Sequence, residues 1–599
     1  MTAEEWPRYA AATALDRELG DPREARNPFG FAAAADRDAS GSFPHALADR
    51  AGPRLRTAFV PAGEGGTLAA MDATLMLVRA AARRDAAVMP ATMFGITAAT
   101  CVLIAGSAGQ RELAVRLLRD GGSLGFALSE AAHGSDLLAN DCAAERAPGG
   151  GFRLTGEKWL VGLGGRCEAL LVVARTGGRG PAAFSALLLD GERAAAARRG
   201  ARRPAGMRGV DLAGFRFDGL TVPESALVGE PGRGLETAMK AMQVVRTVST
   251  AANLACADTG LRLAADFAAA HRVAGRPALA HPGVRRELAT AAALLLAGDA
   301  VALATARGLH VLPAAQSLWS SVAKKVLTDA SEEALARCAD VLASRGVLGD
   351  GPYAAFDVLR RDNAVVRYID TSPTANLRLV AAHFARLAAA SPAADAKAPD
   401  SKAPHAKAPD AALAQVFALD AEPPGLRLEG LELSDRGADP VLAAVPAVAA
   451  AVRQEAAGRR VARAVTRLER AVSWLGHALR ARRGADPLRD QDLAARLCWV
   501  HAAASCLLLW WHNRDRRLCG VPEGDAGWLA AALTVLLSRA AGRTAPLPEE
   551  DAEAVLAAVL PLHADDRLFS VAALPLATPD PGAGDTAPGE PAPLEGAAV

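Results

Sequence analysis

Aromatic side chains are scarce: phenylalanine, tryptophan and tyrosine make up 4% of the 599 residues, and only three are tyrosine. A core short of large rings must be built from alanine and leucine, which favours closely packed helices. Excess charge is missing too, since 67 Lys and Arg stand against 66 Asp and Glu for a net +1. That balance excludes the basic footprint of a nucleic-acid binder and a polybasic membrane anchor. There are eight cysteines (Cys101, Cys142, Cys167, Cys256, Cys338, Cys498, Cys506 and Cys519), and none forms a CxxC pair. Scattered cysteines of this kind make no disulfide framework, so a reducing cytoplasm is the expected compartment. The opening "MTAEEWPRYAAATALDRELGD" is amphipathic and acidic and has no signal-peptide pattern. The longest apolar run, "LCWVHAAASCLLLWW" (497–511), is short for a bilayer span and contains His501, which predicts a buried helix.

A chain of this length exceeds one core, and two to four domains are expected. Residues 1–122 carry helical periodicity, as in "ATLMLVRAAARRDAAV" and "QRELAVRLLRD". Over 123–228 the texture changes to short apolar segments ("GFRLTG", "ALLVVART", "FSALLLD") between Gly-rich turns, the pattern of a small β domain. Helical texture returns over 229–390 in three or four long stretches, which suggests a bundle. A linker is expected over 391–440, because "AKAPDSKAPHAKAPD" (396–410) repeats a Pro/Ala/Lys pentapeptide that supports no core. An additional helical domain is expected over 441–575 and a disordered tail over 576–599. The fold class is therefore mainly α with a central β domain.

One motif within the β region, "FALSEAAHGSDLLAN" (126–140), resembles the first signature of the acyl-CoA dehydrogenase family. Further matches follow in family order: "RLTGEKWLVGLGGRCEALLVVART" (153–176), "FRFDGLTVPESALVGEPGRGLETAMKAMQVVR" (215–246), "HRVAGRPALAHPGV" (271–284) and "LRRDNAVVRYIDTS" (359–372). The resemblance covers about residues 25–388 and implies an N-terminal helical domain, a β-barrel and a C-terminal four-helix bundle. The helices beyond the linker resemble the extra domain of very-long-chain members. The implied activity is FAD-dependent dehydrogenation of an acyl thioester at Cα–Cβ, with a carboxylate removing the α-proton.

Residue by residue, the resemblance implies flavin contacts from Ser129, with Phe126 and Leu128 contributing backbone, and a pyrophosphate contact from Arg272 across a subunit interface. Leu160 and Gly162 occupy cofactor positions where the family usually has an aromatic and then Thr or Ser. Asp340 and the Ala343-Ser344 pair replace a glutamine and a glycine pair that approach the cofactor. Ser135 matches a substrate position near pantetheine, Arg246 the bundle arginine beside the base, and His133 lies in the loop between flavin and substrate. Asp370 aligns with the catalytic base, and it also stands where a residue could cap the helix that follows. The alternative base position holds Val245. Cys498, His501, Cys506 and His512 are metal-ligand types in an apolar helical setting that favours packing. The Ala/Arg/Gly-rich composition suggests a high-GC bacterium such as an actinomycete, where atypical family members act in secondary metabolism on CoA or carrier-protein thioesters. A homodimer is the implied assembly. Altered flavin chemistry on the same fold and a flavin-free scaffold are the competing expectations.

Overall fold

The computed structural model describes residues 6–390, 408–434, 438–455, 458–484 and 486–578. Six helices open the chain: α1 (Ala10–Glu18), α2 (Phe31–Ser40), α3 (His45–Thr57), α4 (Met71–Ala82), α5 (Val88–Ala105) and α6 (Ala108–Asp120). A capping box of Ser107 and Gln110 starts α6, and Gly121 at φ +88° ends it, which turns the chain into the sheet. The strands are β1 (Leu124–Ala127), β2 (Ala143–Arg146), β3 (Phe152–Gly162), β4 (Ala169–Arg175), β5 (Phe184–Asp190), β6 (Arg198–Arg202), β7 (Leu212–Val222) and β8 (Leu227–Val228), with the short α7 (Gly191–Ala197) after β5. Their order is β6-β7-β3-β2-β4-β5-β8, and β1 lies parallel to β4.

Alternation along β4 explains how the sheet joins two cores. Ala169, Leu171 and Val173 pack into the helical core, while Leu170, Val172 and Ala174 pack into a separate core inside the β domain. A strand buried on both faces reads as a continuous apolar run, as "ALLVVA" does.

Helix α8 (Gly234–Ala270) is the longest, and a β9–β10 hairpin (Arg272–Val273, Arg276–Pro277) follows it. Then come α9 (Pro282–Val311), α10 (Gln316–Leu342), α11 (Ala354–Val366), α12 (Pro373–Ala381) and α13 (Phe384–Ala390). Beyond these lie α14 (Ala408–Phe417), α15 (Pro440–Gln454), α16 (Arg459–Ala481), α17 (Pro487–His512), α18 (Gly527–Ala540) and α19 (Glu549–Ala564). The later helices share one core with the bundle, in which α17, α18 and α19 all pack on α9.

Three expectations need correction. The second half of the expected linker is built: α14 and the segment after it are fastened by buried Arg307, which donates to the carbonyls of Gln415 (2.7 Å), Val416 (2.7 Å), Ala418 (2.8 Å) and Ala421 (2.7 Å). His310 accepts from the Met71 amide through Nε2 (2.9 Å) and meets the Pro424 carbonyl through Nδ1 (2.8 Å), and its burial lowers its pKa. Residues 391–407, which include most of the repeat, lie outside the described residues. The expected tail starts too early, because the Leu576 amide donates to the Asp566 carbonyl (2.9 Å) and the Ala577 amide to Asp16 Oδ2 (2.8 Å). The apolar run at 497–511 sits within the 26-residue α17, which is long enough to cross a bilayer, as are α5 and α9. Most of each apolar stretch is buried inside the protein, so the fold itself accounts for their hydropathy.

Buried charge holds the helical layers in register. Arg79 donates to Asp299 (2.6 Å) and lies 3.4 Å from Asp258, Arg83 donates to Asp258 (2.9 Å) and Arg84 to Asp16 (2.8 Å). The C-terminal strap enters this cluster, where the Phe569 and Val571 amides donate to Asp258 (2.9 Å) and Asp299 (2.8 Å).

Asp362 in α11 is also buried, with Oδ1 accepting the Met207 amide at 2.5 Å. Burial, reinforced by Asp85, pushes its carboxyl up to about 8. The folded protein therefore keeps this proton where the unfolded chain has lost it. Its contribution is fully present below the ordinary carboxylate range and is lost as pH rises through about 8. Urea unfolding at several pH values is expected to show stability falling across that window, with Asp362→Asn, which keeps an acceptor but cannot ionise, flattening the curve.

Candidate active site

The turn between α11 and α12 carries Asp370 at φ +73°. The Thr371 amide donates to the Ile369 carbonyl at 2.9 Å, closing a γ-turn around Asp370. This turn with positive φ is rare and strained, and aspartate tolerates the left-handed region better than most residues. Asp370 does not cap the next helix. Ser372 does, its Oγ accepting the Ala375 amide at 3.4 Å.

The Asp370 side chain instead turns to the bundle. Its Oδ2 accepts from Arg246 Nε at 2.6 Å, and the two side chains are 6% and 2% exposed. Arg246 also donates from Nη1 to Ser321 Oγ (3.1 Å) and from Nη2 to Thr371 Oγ1 (3.1 Å). All three nitrogens of the guanidinium thus have partners. The other carboxylate oxygen, Oδ1, is buried and has no hydrogen-bond partner among the described residues.

The loop after β1 approaches the same turn. Ser135 Oγ donates to Ser372 Oγ at 3.2 Å, so the β domain touches the bundle two residues from Asp370. Buried Lys158 fixes the base of this loop by donating to Glu130 Oε1 (2.8 Å) and to the Leu128 carbonyl (2.9 Å). Glu130 in turn accepts the Asp141 (2.7 Å) and Cys142 (3.1 Å) amides. His133 Nε2 lies 2.9 Å from Asp141 Oδ2, which holds the imidazole within its own loop.

The structure brings together Asp370, Arg246 and, through Ser372, Ser135. Arg272 stands apart on the exposed hairpin and donates to the Gly275 carbonyl of its own turn (3.1 Å). Two contributors escaped the motif reading. Ser321 carried no local signal among the many polar residues of α10, and Phe94 was signalled only by being the one large ring in α5. The Cys498/His501/Cys506/His512 set does not converge: His501 Nε2 lies 3.4 Å from Asp439 and Cys506 Sγ 3.8 Å from the Ala297 carbonyl. No group of three metal-ligand side chains occurs among the described residues.

The cradle implied for FAD can be tested on the backbone. Ser129, just past β1, receives the Trp159 amide at its carbonyl (2.9 Å). The β3–β7 register shifts between Lys158 and Val161, which bulges Leu160 outward at φ +52°. At Gly162 a Cβ would stand only 1.7 Å from the Phe94 ring, so that ring fills the space a Thr or Ser side chain would need. Ala343 keeps φ +51° despite its Cβ, the geometry a glycine would supply, and Asp340 is exposed to solvent. The chain thus keeps a glycine-like backbone at 343, while at 162 the Phe94 ring stands where the resemblance implies a hydroxyl side chain.

This arrangement of helices, sheet and bundle, with a carboxylate on the α11–α12 turn, defines a class. The model for the acyl-CoA dehydrogenase middle domain matches residues 125–220, and that for the acyl-CoA dehydrogenase C-terminal domain matches residues 232–394. Over these two stretches the chain is similar to the acyl-CoA dehydrogenases. An acyl-CoA dehydrogenase of Bacillus subtilis (strain 168) is 28% identical over 257 residues, which cover 42% of this chain and 66% of that protein. The chain thus spans slightly under two-thirds of that relative's length. A solved acyl-CoA dehydrogenase complexed with FAD from Bacillus anthracis aligns over 94% of this chain and 90% of its own, with TM-score 0.66 and 15% identity. The prolyl acyl carrier protein oxidase AnaB aligns over 63% of this chain and 97% of its own, with TM-score 0.56 and 17% identity. At these identities the likeness is one of fold, and in the first case it includes the helices beyond the bundle.

Overpacking the Phe94 contact tests its geometry. Gly162→Thr is expected to destabilise the protein by about 1–3 kcal/mol. Adding Phe94→Ala should recover part of that loss, so that the double variant is more stable than additivity allows when followed by chemical denaturation.

Proposed function

We propose that the chain is a flavoenzyme that dehydrogenates an acyl thioester at Cα–Cβ, with Asp370 as the base. The observation that carries this reading is the asymmetry of the Asp370 carboxylate: Oδ2 is anchored by Arg246 while Oδ1 is buried and free. One oxygen fixes position and the other is left to accept a proton. Asp72 Oδ1, in a structural ion pair with Arg307, is also buried without a partner, and what singles out Asp370 is its place on the α11–α12 turn against the β1 loop.

On this reading Phe126, Leu128, Ser129, Leu160 and Gly162 line the flavin side. FAD, when bound, supplies the acceptor for the hydride that leaves Cβ. The chain's own residues orient the thioester, exclude water and take the α-proton on Asp370 Oδ1. Ser135 stands at the contact between the β1 loop and the Asp370 turn, where a thioester arm would pass, and His133 belongs to the same loop. The acyl group is carried on CoA or on an acyl carrier protein.

Arg272, exposed on its hairpin, is assigned to the cofactor of a second copy, which makes the assembly a homodimer. The eight cysteines are all buried thiols without disulfides, in keeping with a cytoplasmic enzyme, and burial pushes Cys142 up to about 11. A role in secondary metabolism completes the reading and rests on composition.

The visible spectrum and one substitution test it. The purified protein should be yellow and should bleach anaerobically with a saturated acyl thioester. Asp370→Asn should keep its flavin, because the amide oxygen can still accept from Arg246, yet bleach roughly 10²–10⁴-fold more slowly. Unchanged bleaching would remove Asp370 from the chemistry, and colourless protein that takes up no FAD would favour the scaffold alternative.

A further inference from the structure

Helix α10 passes against the Asp370 turn and presents a lysine with no carboxylate in hydrogen-bonding contact. Lys324 is 3% exposed. Its Nζ donates to the Val366 carbonyl at 2.5 Å and to the Ile369 carbonyl at 2.9 Å. The first acceptor is at the C-terminal end of α11, where helix carbonyls lack intrahelical partners. The second shares its peptide plane with the Asp370 amide and also closes the γ-turn by accepting from Thr371. Holding that oxygen fixes the plane from which Asp370 departs. The same helix face provides Ser321 Oγ to Arg246 (3.1 Å) and the Ser321 carbonyl to Asn376 Nδ2 (2.8 Å), so both sides of the turn are tied to α10.

We propose that Lys324 is a positioning residue: by bridging the Val366 and Ile369 carbonyls it maintains the strained turn and aims the Asp370 carboxylate. This rests on the reading of Asp370 as the base.

The charged groups facing Lys324 are Asp370, Arg246 and Arg367. Burial is the main cause that lowers its pKa to about 8, within the range of ordinary assays. Charge-assisted hydrogen bonds are roughly twice as strong as neutral ones, so the clamp weakens when the ammonium loses its proton. The stability effect has the opposite sign. The unfolded lysine stays protonated up to its ordinary value of 10.5, so between about 8 and 10.5 deprotonation of this group favours the fold. Because Asp362 lowers wild-type stability as pH rises through about 8, the comparison is made in Asp362→Asn, where a rate that falls through about 8 without a matching fall in resistance to urea reports the turn rather than unfolding.

The test uses the full-length flavin-loaded protein, Lys324→Met and Lys324→Arg, with anaerobic bleaching followed against pH and amide hydrogen exchange followed over residues 367–371. Wild type should lose rate through an alkaline limb near 8. Lys324→Met should raise exchange in the turn and lower kcat roughly 10- to 100-fold with KM little changed, as expected of a misplaced reacting group, and should lack the limb. Lys324→Arg, always charged, should recover most of the rate and also lack the limb. If Lys324→Met does not fold, Lys324→Arg carries the pH comparison alone. A limb that persists in Lys324→Arg overturns the proposal, as does unchanged turn exchange in Lys324→Met. Faster exchange with unchanged kcat also overturns the positioning role. If Asp370→Asn then bleaches at the wild-type rate as well, it is the base assignment that has failed.

Discussion

A buried guanidinium needs a carboxylate or carbonyls set against its charge, and this constraint organises the molecule. Alanine-rich helices pack closely but offer few distinctive shapes, so many registers between them would bury similar apolar area. Arginines at fixed positions break that degeneracy. Arg79, Arg83 and Arg84 in and just after α4 select Asp258 on α8, Asp299 on α9 and Asp16 on α1. Arg307 on α9 draws four carbonyls of the 415–421 segment around itself, and Arg262 on α8 takes the Arg567 carbonyl (2.5 Å). Removing one member of such a set leaves an uncompensated buried charge, at a cost of about 3–5 kcal/mol. The helices beyond the bundle are thereby fixed to it through charge as well as apolar contact.

Arg246 applies the same rule at the candidate active site. It lies on the same helix as Asp258 and Arg262, so the element that anchors the charge cluster also sets the position of the Asp370 carboxylate. The Asp370 turn is held from three directions: by Arg246 on α8, by Ser321 and Lys324 on α10, and by Ser135 from the β domain. A strained backbone persists only where its surroundings over-determine it, and these contacts supply that. The strain and the free carboxylate oxygen therefore belong to one arrangement.

Much of this order was legible in the chain. The change from helical periodicity to short apolar segments near residue 123 and back near 229 follows the real elements, because a sheet buried on two faces and a helix buried on one leave different patterns. The stretch "LRRDNAVVRYIDTS" contained Asp370, and "EKW" contained the buried Lys158. What stayed hidden depended on long-range contact. Nothing local distinguishes Lys324 from Lys325 beside it, yet one is buried against carbonyls and the other pairs with Asp329. The expected linker hid α14 because its partner, Arg307, lies about a hundred positions earlier. Asp370 could also be read as a cap, since capping depends on side-chain direction, and in the fold it is Ser372, two residues later, that caps α12.

The departures from the family pattern share a physical theme, which is compensation through backbone. Ala343 adopts a glycine-like φ, so a turn built for glycine survives the added Cβ at the expense of strain. Gly162 loses a side chain, and Phe94 from α5 fills the vacated volume. Asp370 stands where the resemblance implies the catalytic carboxylate, and an aspartate side chain is short. Its Oδ2 is tied to Arg246, so rotation about its own bonds cannot restore reach without breaking a buried ion pair. The γ-turn carries the whole residue instead, and its position is set by contacts to the Ile369 carbonyl rather than by the side chain. On the proposed reading, reach is then a property of the turn and of α10 beneath it, so changes to the bundle can alter the reacting geometry without touching the carboxylate itself.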